Sequence, residues 1–98
     1  MITIEAFLKL KDDGIIPDDI PSLLQALLLD AAGDWNNAHA VAQSDSSSDG
    51  SWVHAYLHRK EGDLGNAGYW YRSAGKSIPG ISLEEEWEYI AMALMAKS

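Results

Sequence analysis

The chain has 98 residues and a formal net charge of −8 at pH 7, with 15 acidic against 7 basic side chains. This length favours one domain, 1–98, and 47% hydrophobic residues with four Trp favour a folded core over disorder. The negative charge argues against a nucleic-acid partner, because it repels phosphates. The absence of cysteine excludes disulfides and is typical of the cytoplasm. The longest apolar run, 90–96, is too short to span a bilayer, so no membrane partner is expected.

Six helices are predicted, because Gly recurs where helices end and Asp or Ser where they begin. The expected helices are, in chain order, Thr3–Lys11, Ser22–Ala32, Trp35–Ser44, Ser51–Glu61, Leu64–Ala74 and Leu83–Lys97. The polar stretch 43–50 predicts a loop, and Ser82 with Glu85 predicts a capping box before the last helix. No segment alternates apolar and polar residues, so we expect no sheet. The fold class is therefore all-α.

Each predicted helix has an apolar face that we expect to be buried. The inward residues are Ile4, Phe7, Leu8, Leu24, Leu27, Leu28, Ala31, Trp35, Ala38, Val41, Ala42, Trp52, Val53, Tyr56, Leu57, Leu64, Ala67, Trp70, Tyr71, Leu83, Trp87, Ile90 and Leu94. The glutamates at 84–86 and 88 are interpreted as exposed residues that complement the positive end of the last helix.

An internal repeat relates the second and third predicted helices to the fourth and fifth. Shifting the chain by 29 residues places Gly33 on Gly62 and Asp34 on Asp63, within a shared G-D-x-x-N-A motif. Gly ends one helix and Asp caps the next, so each copy predicts a helical hairpin, about 22–44 and about 51–75. One hairpin cannot bury both faces, and we expect the two to stack as a short α-solenoid. The short N-terminal helix and the C-terminal helix at about 82–97 would cover the ends.

The repeat region resembles the tetratricopeptide and Sel1-like class of helical repeats. The residues that carry the resemblance lie within Ser22–Gly75; they are Ala55-Tyr56-Leu57, Gly62-Asp63, Ala67 and Trp70-Tyr71-Arg72. The resemblance implies a concave helical surface that binds a peptide or a protein. The stretch 52–72 is also similar to one in small, uncharacterised bacterial proteins, and this second resemblance implies a fold but no activity.

All three histidines lie within the repeat region. His54, His58 and Glu61 are spaced to share one face of the fourth helix. His39 lies on the helix expected beside it and could complete a three-histidine cluster. Imidazole and carboxylate groups at this spacing could hold zinc or another borderline divalent metal. The alternative is a solvated polar face without a ligand. The sequence leaves both interpretations open.

A second candidate surface lies on the fifth helix. Tyr69 and Arg72 are off its predicted core face, with Gly68 beside them. An aromatic ring and a guanidinium group could bind a carboxylate or a planar ligand there. The alternative is that Arg72 stacks on Tyr69 or pairs with Asp63.

No residue is assigned a catalytic role. The serines cluster in 44–51 without a G-x-S-x-G motif, and the glycines at 62, 65 and 68 follow no predicted strand, so neither a serine hydrolase nor a phosphate loop is indicated. No organic cofactor is predicted.

The function favoured by the sequence is that of a small interaction module. We expect it to bind a peptide, a partner protein or a second copy of itself in a groove lined by the fourth and fifth helices. The alternative function is a metal or small-molecule site centred on the histidines, either a binding site alone or the site of an enzyme. The expected surface residues are His39, His54, His58, Glu61, Tyr69 and Arg72, with His54, His58 and Glu61 as metal ligands.

Overall fold

A computed structural model describes residues 2–97; Met1 and Ser98, the ends of the predicted domain, lie outside the described residues. The six helices are α1 (Ile4–Asp13), α2 (Ser22–Ala31), α3 (Trp35–Gln43), α4 (Ser48–Glu61), α5 (Leu64–Ser73) and α6 (Leu83–Lys97). No strand occurs within residues 2–97, so the predicted all-α class is confirmed. None of the described helices is long and apolar enough to cross a membrane.

The structure corrects the predicted start of the fourth helix. The stretch 43–50 is shorter as a loop than predicted, because α4 already begins at Ser48 with Ser47 as its N-cap. The Ser47 hydroxyl accepts a hydrogen bond from the Gly50 amide at 3.1 Å. The sequence predicts that Gly50 belongs to the loop, but it is buried in the first turn of α4. A Cβ at this position would lie 2.2 Å from the Asp45 carbonyl oxygen. Close packing therefore explains this glycine.

The two G-D turns have the same geometry. Gly33 and Gly62 each adopt a φ of +89°, the left-handed conformation that favours glycine. The following residues, Asp34 and Asp63, each accept a hydrogen bond at 3.2 Å from the backbone amide three residues further on. Both Asp amides in turn donate, at 2.9 Å, to the carbonyl five residues earlier. The predicted caps are confirmed, and they make α2 with α3 and α4 with α5 into tightly connected pairs.

Helix α4 lies at the centre of the fold. It contacts α2, α3, α5 and α6, and eight of its fourteen residues are buried. A helix surrounded in this way is buried on more than one face, so its polar side chains also become enclosed. The largest fully buried apolar side chains include Phe7, Leu24, Leu27, Val53, Leu57 and Ile90.

A buried ion pair joins α6 to α4. It corrects the predicted exposure of Glu86, whereas the other three glutamates of the first turns of α6 are exposed as predicted. Glu86 is only 1% exposed, and its carboxylate lies 2.9 Å from Nη1 of Arg59. The Tyr71 hydroxyl donates to it at 2.7 Å and the Trp52 indole at 3.2 Å. Arg59 also donates to the Ile81 carbonyl. These contacts offset the cost of burying the charge and fix α6 in place.

One predicted core residue is exposed. Leu64, the first residue of α5, has 57% of its surface accessible. It directly follows the Asp63 cap at the start of α5, just beyond the end of α4 at Glu61, so α4 does not cover it. The inward face of α5 is instead formed by Ala67 and Tyr71.

Candidate metal centre

The three histidines are positioned by two neighbouring helices. His39 lies on α3, and His54 and His58 lie one helical turn apart on α4. The capped turn at Asp34 sets where α3 begins, and Trp35 in its first turn donates from Nε1 to the Leu57 carbonyl of α4 at 2.9 Å. This bond between the helices holds α3 against the histidine face of α4.

The three imidazoles converge. Ring centroids are 4.6 Å apart for His39 and His54, 5.1 Å for His39 and His58, and 4.9 Å for His54 and His58. One nitrogen from each ring can be chosen so that all three lie within 4.8 Å of one another. His54 and His58 are buried and His39 is half-buried. The solvated polar face considered from the sequence is therefore not what the structure contains.

Two tryptophans enclose the histidine cluster. Trp35 stacks on His39 with ring centroids 4.8 Å apart, and Trp70 stacks on His54 at 4.1 Å. Trp35 also presents its ring edge-on to His58 at 5.8 Å. Flat contact with an indole limits rotation of an imidazole, so the tryptophans help to fix the directions of the ring nitrogens.

Glu61 orients one of the imidazoles. Its Oε2 lies 2.7 Å from Nδ1 of His58, close enough for a strong hydrogen bond. A carboxylate only accepts, so Nδ1 carries a proton, and in the neutral ring the lone pair is on Nε2. This arrangement is the one that commonly supports a histidine bound to a metal through its other nitrogen.

Burial favours the neutral form of two of the imidazoles. Burial, and then the nearby rings of His39 and His58, lower the pKa of His54 to about 4. Burial and the neighbouring His58 also lower the pKa of His39, although Glu61 acts in the opposite direction. The charged form loses hydration in both cases. A neutral imidazole is the form that binds a metal.

The structure brings together the three histidines, one of the two ligand sets considered from the sequence, and does not place Glu61 in the same set as His54. His54 and His58 are joined by His39, whereas Glu61 forms a separate potential set with His58 and Asp63. Helical spacing places Glu61 on the same face as His54, but its carboxylate binds the nearer His58. Glu61 therefore lies beside the three imidazoles as the hydrogen-bond partner of His58.

Tyr69 and Arg72 do not join the histidine cluster directly. Tyr69 is 56% exposed and packs edge-on against Trp70, with ring centroids 5.0 Å apart. Arg72 is also exposed, and within residues 2–97 it forms neither the predicted ion pair with Asp63 nor a cation–π contact with Tyr69. Both side chains are accessible on the outer side of α5.

Sequence reasoning missed the part played by the tryptophans. Trp35 and Trp70 pack against the core as predicted, and each is also stacked, half-buried, on a histidine. The spacing of Trp35 and His39, four residues apart on one helix, is a signal for the first contact. No comparable signal exists for Trp70 and His54, because they lie on different helices. Comparison of the chain with protein-family models, curated proteins and solved structures found no match.

Proposed function

We propose that this protein binds a divalent transition metal ion through His39, His54 and His58. The observation that carries the proposal is the convergence of the three rings, with one nitrogen from each within 4.8 Å of the others. Imidazole nitrogen is a preferred ligand of zinc, copper and nickel, and three protein nitrogens form a common set for a zinc ion. Zinc is the metal we propose first.

The spacing of the rings suits a metal after a small adjustment. Zinc–nitrogen bonds of about 2.0–2.1 Å in a tetrahedron place the nitrogens about 3.3–3.4 Å apart. The nitrogens here are at most 4.8 Å apart, so modest side-chain rotations bring them to bonding distance. The pKa values of His39 and His54 are lowered, which favours the neutral imidazole that a metal binds.

Three protein ligands leave a fourth coordination position on a tetrahedral ion. Water or a small ligand would fill that position. Glu61 would hold His58 in the tautomer that presents Nε2, which is the usual role of a carboxylate behind a metal-bound imidazole. We assign no reaction to the site.

Calorimetric titration tests the metal proposal. The wild-type protein at pH 7 is titrated with Zn²⁺, Ni²⁺ and Mn²⁺, together with the variants His39→Asn, Glu61→Gln and Glu88→Gln. His39 is the least buried of the three ligands, so its replacement is the least disruptive to the fold. Glu88 is exposed on α6, and its variant removes the same charge as Glu61→Gln away from the cluster.

The proposal expects saturable Zn²⁺ and Ni²⁺ binding at one site and little Mn²⁺ binding, because manganese prefers oxygen ligands. His39→Asn should abolish the site, and Glu61→Gln should weaken it about 10- to 100-fold, the usual effect of losing a supporting hydrogen bond. Glu88→Gln should bind as the wild type does. Equal Zn²⁺ binding by the wild type and His39→Asn would overturn the proposal.

A second candidate function is the interaction module suggested by the helical repeat. We propose that α2–α3 and α4–α5 are two repeat units of the tetratricopeptide-like kind and that α5 presents the partner surface. The identical hydrogen bonds of the two G-D turns support the repeat. The exposed Leu64 and Tyr69, with Arg72 on the same helix, support a surface for a protein, a peptide or a second copy.

Analytical sedimentation tests the simplest form of this proposal, in which the protein forms a homodimer. The wild type is compared with Leu64→Lys/Tyr69→Lys, which places two charges on the exposed side of α5. Concentration-dependent dimerisation that the double variant abolishes supports self-association. A dimer that persists in the double variant would place the interface elsewhere, and a strict monomer would exclude the second copy as the partner.

A further inference from the structure

A cavity of about 460 Å³ lies away from the histidine cluster, between α6 and the segment that follows α5. Its apolar lining includes Trp52, Pro79, Ile81, Tyr89, Met92 and Ala93. Cavities of this size are large enough for a small organic molecule. Tyr89 and Met92 are each more than half exposed, so the cavity opens to solvent beside them.

One cation stands at this cavity. The Lys76 ammonium lies 4.1 Å from the centroid of the Trp52 ring, and both residues line the cavity. Within residues 2–97, Lys76 has no carboxylate at ion-pair distance, whereas Arg59 and three other lysines each have one. A cation held over an aromatic face without an acidic partner can accept an anion.

The acidic side chain in the cavity wall does not oppose an anion strongly. Glu86 also lines the cavity, but its carboxylate is paired with Arg59 and accepts from Tyr71 and Trp52. Glu85 and Glu88 do not line the cavity; they line a neighbouring groove on α6 that shares Tyr89 and Met92 with it. Of the two charged side chains that line the cavity, Lys76 and Glu86, only Glu86 has an ion-pair partner within residues 2–97.

We propose that this cavity binds a small apolar monocarboxylate. Its hydrocarbon or aromatic part would lie among Trp52, Ile81 and Tyr89, and its carboxylate would pair with the Lys76 ammonium. A single negative charge is favoured over a dianion such as phosphate, because the protein as a whole carries −8. The site does not depend on the metal, since it shares no residue with the histidine cluster.

Binding of octanoate, with octanol and octylamine as matched controls, tests this site. The three probes share one tail and differ only in the charge of the head group. Chemical-shift changes in the ¹⁵N-labelled protein locate each probe and give its dissociation constant. The variant Lys76→Gln removes the ammonium, and Lys9→Gln removes the same charge from an exposed lysine on α1.

We expect saturable octanoate binding with shifts in residues 76–81 and 89–93, and weaker binding of octanol and octylamine. Lys76→Gln should weaken octanoate about two- to fivefold, the effect of losing a partly exposed ion pair, and Lys9→Gln should not. Hexanoate should bind about fifteenfold more weakly than octanoate, because two buried methylene groups are lost. Preference for octylamine, equal binding of octanoate and octanol, or shifts outside the cavity would overturn the proposal.

Discussion

The His54 imidazole lies flat against the Trp70 indole, with ring centroids 4.1 Å apart and ring planes inclined by 20°. This contact joins α5 to α4, and the indole covers one face of the His54 ring. His39 approaches the same imidazole from α3 with its ring nearly perpendicular, at 83°. His54 is thus held between two helices, and this placement accounts for its burial and for the pKa of about 4.

Acid should destabilise the protein through His54. The unfolded chain binds a proton near pH 6.5, whereas the folded protein resists protonation at His54 until about pH 4. Stability therefore falls as pH decreases from about 6.5 and stops falling from this cause below about 4. We expect a loss on the order of 3 kcal/mol across this range, measured by urea unfolding.

The variant His54→Phe provides the control for acid destabilisation. It keeps a flat ring against Trp70 but cannot bind a proton. The part of the pH dependence that comes from His54 should disappear, while the part that comes from carboxylates remains. An unchanged slope of stability against pH between 6.5 and 4 would show that His54 does not cause it.

Removing the Trp70 ring should raise the pKa of His54 in the folded protein. Trp70→Ala allows water to reach the exposed ring face, and hydration favours the charged imidazolium. An NMR titration of the His54 ring protons measures this pKa, which should rise from about 4 toward 6.5. Trp87→Phe is the matched control, because Trp87 contacts Phe7 rather than a histidine. A pKa that stays near 4 in Trp70→Ala would assign the shift to other neighbours.

Breaking the buried ion pair of Glu86 should be costly. Glu86→Gln leaves the Arg59 guanidinium without its charged partner inside the protein, and we expect a loss of about 3–5 kcal/mol in unfolding free energy. Urea unfolding followed by circular dichroism measures it, with the exposed Glu88→Gln as control. The double variant Arg59→Met/Glu86→Met should lose less unfolding free energy than the sum of the losses measured for Arg59→Met and Glu86→Met separately. Additive losses would show that the two groups act independently.

Two glycine substitutions should change stability in opposite directions. Gly50→Ala places a Cβ 2.2 Å from the Asp45 carbonyl oxygen, so the backbone must move and the protein should lose about 1–3 kcal/mol. Gly65→Ala, in α5, places a Cβ with only Asp63 Oδ1 near it, at 4.0 Å. It should stabilise by about 0.5–1 kcal/mol, because glycine weakens a helix. Thermal unfolding measures the direction of both changes in stability, and a stabilised Gly50→Ala would contradict the close packing.

The helices could be predicted because their ends are determined locally. Asp34 and Asp63 cap the residues that directly follow them, and Gly33 and Gly62 provide the left-handed turn just before. These features depend on neighbours in the sequence, so a reader of the sequence can find them. The sequence does not predict that Gly50 lies within α4, because its packing depends on Asp45 in the preceding loop and not on its own conformation.

The candidate site could be predicted only in part. Spacing along α4 places His54 and His58 together, since one helical turn separates them. That His39 meets them depends on how α3 packs on α4, which spacing within either helix does not determine. The burial of Glu86 has the same origin, because its partners Arg59 and Tyr71 lie on other helices.

The most direct test of the metal proposal is a crystal structure of the wild-type protein grown with Zn²⁺, with anomalous diffraction recorded at the zinc absorption edge. The account predicts one strong anomalous peak among the three imidazoles, about 2.0–2.1 Å from a nitrogen of each of His39, His54 and His58. Zinc found only at surface carboxylates, with the three imidazoles still packed as they are here, would contradict it.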